Sequence, residues 1–457
     1  MNTLITITGI GILAMLAEIL NFRKALFPLV LAGLLVALGF AVLDWNTNVR
    51  YFSDMMFYDN YAVAFSAVMI ITVVLWFLLS SDYIRNSSHQ TDFTSLIIFS
   101  LAGGIVMVSY ADLTMLFLGL EILSIAMYIM AAANKSELRS NEAGFKYFMM
   151  GAFATGFLLF GIALIYGATG SFNLQEIAAY VAENKSNLPV IFNAGILLMM
   201  VGLVFKVSAA PFHFWAPDVY EGAPSPVTAY MSTVVKTAAF AAFLRLFNVC
   251  FSDLSGWWGP ALAICSALSM LAGNILAVYQ KSIKRMLAYS SISHAGYMLM
   301  AVVAMNEFSN SSLLMYTAAY SVGSIGIFTL VLNMTRLQNE TVNSLKGFSS
   351  INKGPAFIIS IIMLSLAGIP PVAGFFAKYY VFTTALKSDY TWLVILAVIS
   401  SLIGVYYYFR VIIAMYQPAD RDSVQIEFSP VHHVVLWCTL ILTVALGVIP
   451  GFLIGLL

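Results

Sequence analysis

Long apolar runs separated by short polar gaps pattern this chain from its first residues almost to its last. About 20 apolar residues cross a bilayer core as one α-helix. The pattern therefore predicts an all-α polytopic membrane protein with about fourteen transmembrane helices. The expected spans are 3–20, 25–44, 60–80, 93–110, 112–133, 143–167, 190–221, 226–249, 258–279, 285–305, 310–335, 354–386, 391–416 and 430–456. Two of them are expected to be broken, at Pro211 and at the Pro370–Pro371 pair, because proline lacks a backbone donor.

Composition supports the membrane reading. Hydrophobic residues make up 61% of the chain and charged ones only 9%, with a mean hydropathy of +0.91, too little charge for a water-facing surface. Met1 to Ile5 carry no basic segment and no cleavage site follows, so the first run is read as a retained span.

Basic residues are unevenly placed. Arg23, Lys24, Arg85, Lys135, Arg139, Lys281, Lys284, Arg285, Arg336, Lys346, Lys353 and Arg421 fall in odd-numbered loops, and only Arg50, Lys185 and Lys387 in even ones. By the positive-inside rule the odd loops are cytoplasmic, and an even number of spans puts both termini on the outer, periplasmic side. Spans 4–8 hold a broken helix followed by a polar-striped one, and spans 9–13 repeat that order. Five is odd, so the copies would be inverted repeats. The expected division is a three-span segment 1–92, repeats 93–250 and 251–416, and a final span within 417–457.

Four lysines, Lys146, Lys206, Lys236 and Lys378, and one acid, Glu121, lie inside these apolar runs. A charge at bilayer depth costs roughly 2.5–3.5 kcal/mol even on lenient scales, which makes each a functional candidate. One acid cannot neutralise four amines. Some of the lysines must therefore be able to release their proton, as a proton path requires. Lys206 precedes Pro211 by five residues, and Lys378 follows Pro370 and Pro371, so each lies beside a broken helix. Freed carbonyls and water are expected to solvate both ammonium groups, with Gly374 leaving room for that water.

Thr228, Ser232 and Lys236 recur every four residues and share a helix face. Hydroxyls alone in such a line glue helices together; with a lysine they suggest a wet channel wall. Ser290, His294 and Tyr297 form a similar line, in which His294 either bridges two lysines or is a satisfied core residue. Lys146 lies near the start of span 6 and either joins the path or snorkels to the surface. Arg245 and Arg410 are expected at interfaces or in local pairs. Asp218 and Glu221 are read as a proton entrance or a solvated turn.

Redox chemistry is not expected in this chain. Cys250, Cys265 and Cys438 are scattered with no CxxC, and His213 and His294 stand alone.

Three runs carry a family resemblance. They are Val204-Phe-Lys206-Val-Ser-Ala-Ala-Pro211-Phe-His-Phe-Trp215-Ala-Pro-Asp218-Val-Tyr-Glu221-Gly-Ala-Pro-Ser-Pro226, Lys284-Arg-Met-Leu-Ala-Tyr-Ser-Ser-Ile-Ser-His294-Ala-Gly-Tyr297, and Ser365-Leu-Ala-Gly-Ile-Pro370-Pro-Val-Ala-Gly374-Phe-Phe-Ala-Lys378. With them the chain resembles the antiporter-like subunits of respiratory complex I, the proton-translocating NADH:quinone oxidoreductase, and among these subunit N. Subunit M looks different in carrying a glutamate where this chain has Lys378. Subunit L continues past the point where this chain stops.

The resemblance implies that Glu121 and Lys206 form the modulating pair of a first half-channel. It places Lys236 and His294 on a central relay, makes Lys378 the terminal lysine of a second half-channel, and Lys146 an additional lysine. FMN, iron–sulfur clusters and quinone are implied in partner subunits of the membrane and peripheral arms. The expected setting is a bacterial cytoplasmic (inner) membrane, with lipid and protein rather than nucleic acid as partners. The rival reading is a subunit of a cation/proton antiporter not linked to a redox enzyme, which the same lysines would serve.

Overall fold

The structure is a computed structural model that describes residues 1–457 except 86, 88, 186, 420–422 and 424. Arg421, counted above among the loop basics, lies outside the described residues. The chain opens with α1 (Asn2–Leu16) and α2 (Arg23–Leu43), a hairpin of β1 (Val49–Tyr51) and β2 (Met56–Tyr58), then α3 (Asn60–Leu79) and α4 (Ser81–Arg85). There follow α5 (Gln90–Ser109), α6 (Leu113–Ala131), α7 (Leu138–Thr169), α8 (Leu174–Asn184), α9 (Val190–Lys206), α10 (Trp215–Gly222) and α11 (Ser225–Tyr230). A π-helical turn, Met231–Val235, leads straight into α12 (Lys236–Cys250). The rest is α13 (Ser255–Val278), α14 (Ile283–Ala304), α15 (Ser309–Arg336), α16 (Phe348–Ile351), α17 (Lys353–Ala367), α18 (Ala373–Leu386), α19 (Thr391–Tyr416), α20 (Pro430–Val448) and α21 (Gly451–Ile454).

This is an all-α multi-pass membrane architecture. Among the described residues, eleven helices are long and apolar enough to cross a membrane. Three shorter apolar helices, α1, α9 and α17, fall at the first expected span and at the leading arms of the two expected broken ones. Both breaks are present: α9 stops at Lys206 before α10, and α17 stops at Ala367 before α18. The last expected span, 430–456, is shorter than the sequence suggested. Helix α20 ends at Val448, just before Pro450, which cannot supply the next backbone donor.

Side-chain caps set several starts. Asp59 accepts from Ala62 N at α3, Asp112 from Thr114 N at α6, and Ser282 from Arg285 N at α14. The expected loop position of Lys284 and Arg285 is corrected by this last cap, which places both in the first turn of α14.

Burial sorts the helices into an inner and an outer set. The whole apolar window of α15 is buried, as is 94% of that of α14, against 33% for α2, α7 and α20. Bare glycines let the pair that carries His294 close up. A Cβ on Gly273 of α13 would lie 2.5 Å from Ser293 N, and one on Gly296 of α14 2.8 Å from Met270 N. That contact turns the opposite face of α14, with His294, toward α15 and α19.

Candidate functional site

The two breaks and the inner helices between them gather the candidate residues. At the first break, Ser208 takes φ +58° immediately after α9 and turns the chain away. Lys206, 5% exposed, sends its Nζ across to Ser124 Oγ on α6 at 2.7 Å. Ser124 in turn donates to Leu120 O. The rings of Tyr128 and Tyr147 face the ammonium with centroids at 5.9 and 5.7 Å, so it rests partly on π density.

Glu121 stands one turn before Ser124 on α6, within electrostatic reach of Lys206. The two make no ion pair within 4.0 Å among the described residues, and Glu121 Oε1 is buried with no hydrogen-bond partner there. Ser124 thus holds the position that the expected direct pair would need. The solvation expected from carbonyls freed at Pro211 is also absent here, since a hydroxyl from another helix supplies it.

At the centre, Lys236 is 3% exposed and donates to Ser291 O at 2.6 Å and to Ser291 Oγ. The Tyr320 ring centroid lies 5.9 Å away. The hydroxyls of the expected wall beside it donate to backbone. Thr228 Oγ1 donates to Tyr220 O and Ser232 Oγ to Ala229 O, so both hydroxyls close on backbone of their own neighbourhood. His294 is 4% exposed, with Nδ1 2.8 Å from Tyr316 Oη and Nε2 3.0 Å from Tyr408 Oη. Tyr408 also bonds Ser290 Oγ. Tyr297, the third member of the expected line, accepts instead from Asn274 Nδ2 at 3.1 Å.

The second break turns at Gly368, whose φ of +86° favours glycine. Its bare Cα also seats the neighbouring lysine: a Cβ there would lie 2.7 Å from Lys378 Cδ and 3.0 Å from its Nζ. Lys378 Nζ donates to Ala367 O and to Ser401 Oγ, each at 2.7 Å, with the Tyr297 ring centroid at 5.1 Å. Ala367 is the last residue of α17, so here the broken helix does supply a freed carbonyl. On its Cβ side Gly374 is closed by the chain, since a Cβ there would lie 1.7 Å from Ser365 O, and it also lines a small cavity shared with His294 and Tyr316.

Lys146 is not with the deep lysines. Its side chain is 38% exposed and bridges Glu142 Oε1 at 2.7 Å and Asp218 Oδ2 at 2.9 Å. Arg285 joins the same cluster through Asp218 at 3.0 Å and Glu221 at 2.6 Å, around a cavity of about 270 Å³. The amine that sequence reasoning missed is Lys284. It is 2% exposed and donates to Ala223 O just past α10. The signal was its place inside the second quoted run. Arg245 pairs with Asp59, and Arg410 donates to Val278 O and Gln280 O at the end of α13, as local pairing anticipated.

Residues 111–404 match the family described as NADH:quinone oxidoreductase/Mrp antiporter, TM. A curated NADH-quinone oxidoreductase subunit N from Flavobacterium psychrophilum is 42% identical over 460 residues, covering 100% of both chains. The chain belongs to this family, among its subunit N members. A second subunit N, from Flavobacterium johnsoniae, is 43% identical over 468 residues, again with 100% of both chains covered. Among solved structures, a chain of respiratory complex I from Thermus thermophilus with bound aureothin superposes with a TM-score of 0.85 at 30% identity. That match covers 99% of this chain and 98% of the other. Glu121, Lys146, Lys206, Lys236, His294 and Lys378 all lie within the matched segment 111–404.

Proposed function

We propose that this chain is the proton-translocating subunit N of an NADH:quinone oxidoreductase in a bacterial cytoplasmic membrane. The carrying observation is three amines, Lys206, Lys236 and Lys378, each buried and each held by neutral oxygen rather than by a carboxylate. A hydroxyl or carbonyl oxygen accepts a hydrogen bond without fixing a charge, so such an amine can hold its proton or lose it. The full-length likeness to subunit N supports this setting over an antiporter unlinked to a redox enzyme.

In this reading Lys206, Lys236, His294 and Lys378 form the path, and Glu121 modulates it. Moving α6 against α9 would exchange the Ser124 contact of Lys206 for a Glu121 contact, strengthening or releasing its hold on a proton. Lys146 belongs to the polar cluster at the end of α7, with Asp218 and Arg285, and acts as a surface relay. The blocks 93–250 and 251–416 are read as inverted repeats, each with one half-channel and one break. Both termini lie outside.

Electron transfer would occur in partner subunits that carry FMN, iron–sulfur clusters and quinone. The dispersed Cys250, Cys265 and Cys438 do not fit cluster ligation within this chain. Moving one charge against 100 mV costs about 2.3 kcal/mol, so the driving energy comes from those partners.

The test is the whole complex in proteoliposomes, with Lys206→Ala, Glu121→Ala and Lys378→Ala compared for protons moved per electron. The expected result is assembled complexes that pump poorly. Wild-type ratios in all three would sink the reading. Co-purification with flavin- and cluster-bearing chains separates it from the antiporter alternative.

A further inference from the structure

Both ring nitrogens of His294 meet phenol hydroxyls, and one of those phenols continues to a serine. Tyr316 Oη lies 2.8 Å from Nδ1 and Tyr408 Oη 3.0 Å from Nε2, and Tyr408 Oη also bonds Ser290 Oγ. Ser290, Tyr408, His294 and Tyr316 are 2%, 1%, 4% and 2% exposed, so the line is sealed from bulk water. Serine and tyrosine hydroxyls each donate and accept, and a neutral imidazole has one nitrogen for each role. All hydrogen bonds along the line can therefore point one way or all the other.

The ends of the line lie where the candidate path has gaps. Ser290 is the residue before Ser291, whose two oxygens hold Lys236. Tyr316 borders a cavity of about 10 Å³, the lower limit for one water, lined also by His294, Tyr320, Ser365 and Ala377, the residue before Lys378. Phenylalanine would fill the same ring space without hydroxyls. A buried hydroxyl costs free energy unless it is bonded, so ring packing alone does not account for the two tyrosines.

We propose that Tyr408 and Tyr316 carry the proton between the Lys236 side and the second break, one on each side of His294. This rests on the proton-translocating reading above. A proton arrives at Ser290 Oγ, and Ser290 gives its own to Tyr408. Tyr408 gives its own to Nε2, the Nδ1 proton passes to Tyr316, and Tyr316 releases its own on the Lys378 side, to the single water that is the most this cavity holds. Each group breaks one O–H or N–H bond as it forms another. No member ends charged and no electrons move. His294 finishes as the other tautomer, and rotation of the ring and hydroxyls resets the line.

The experiment uses the whole complex in proteoliposomes with Tyr408→Phe and Tyr316→Phe, beside Lys206→Ala and Lys378→Ala. Tyr379→Phe, at a residue 50% exposed on α18, is the control. Each of the first two variants should slow proton translocation on the order of a hundredfold in a complex that still assembles with a lowered melting temperature. The slowed step should show a raised solvent deuterium isotope effect, which a packing role would not produce. Wild-type pumping by both phenylalanine variants, with both lysine variants impaired, overturns the tyrosine line alone. Wild-type pumping by the lysine variants as well overturns the proton reading beneath it. If a phenylalanine variant does not assemble, fluorotyrosine at 408 or 316 keeps the shape and changes hydroxyl acidity. A pumping rate unmoved by fluorination then overturns the line, and a changed rate supports it.

Discussion

At the first break Lys206 reaches across to Ser124 on α6, whereas at the second Lys378 turns back to Ala367 O, on the helix whose break it flanks. The first partner sits on a separate helix and shifts whenever that helix shifts. The second travels with the break. A carboxylate waits one turn from Ser124, whereas among the described residues the polar partners of the Lys378 ammonium are a carbonyl and the Ser401 hydroxyl, with an aromatic ring beside it. The same residue type is thus built to be adjusted in one half and to be held in the other. This contrast assigns modulation to α6 against α9 and steady solvation to α17 and α18.

The harshest challenge to the contrast is Gly374→Ala. Its Cβ would meet Ser365 O at 1.7 Å, so α18 must leave its seat, and the expected cost is about 3 kcal/mol or more. Thermal denaturation of the complex should show lost or weakened assembly. A variant with native stability would mean that the second break is not held rigidly.

Next in size is Lys378→Arg. Arginine keeps the charge but does not readily release a proton, so pumping should fall nearly as far as in Lys378→Ala while assembly persists. Pumping at the wild-type rate would reduce Lys378 to a fixed charge.

Ser124→Ala should have an intermediate effect. It removes the hydroxyl that holds the Lys206 ammonium and leaves Glu121 as the nearest anion, which locks the pair. Ser401→Ala should do less, because Ala367 O remains to Lys378. Proton-to-electron ratios that rank the two serines the other way would reverse the assignment of the adjustable half.

Smallest is Lys146→Met. Its ion pairs are more than a third exposed, and such pairs are worth about 0–1 kcal/mol. Stability should barely move, and pumping should fall far less than in the Lys206 or Lys378 variants. A loss as deep as theirs would put Lys146 on the path itself.

Span positions were legible because length and apolarity alone fix what crosses a bilayer. The breaks were legible because Pro211, Pro370 and Pro371 remove donors wherever they stand. The deep lysines were visible as charges in apolar runs. What each ammonium touches was not visible. Ser124 lies 82 residues from Lys206, and Tyr408 lies 114 from His294, so no local spacing points to either. Lys284 read as a loop residue because it stands beside Arg285 at a helix start. Its ammonium is held by Ala223 O, just past the end of α10 and 61 residues away. The π-helical turn before Lys236 carried no signature among Met231, Ser232, Thr233, Val234 and Val235, since one extra residue in a turn is a matter of packing.

Helix α15 has no lipid-facing side, yet it carries Tyr316, Tyr320 and Ser321. Those groups meet partners made earlier, Tyr316 on His294 of α14 and Ser321 on Thr237 of α12, while other parts of α15 pack on α17, α18 and α20. The wrapping helices α17, α18 and α20 lie downstream in the chain, so α15 waits for segments not yet synthesised. Biogenesis therefore has a vulnerable interval in the middle of translation. A chain arrested before α18 would leave the side of α15 that meets α18 and α20 without its cover, a ready mark for membrane quality control.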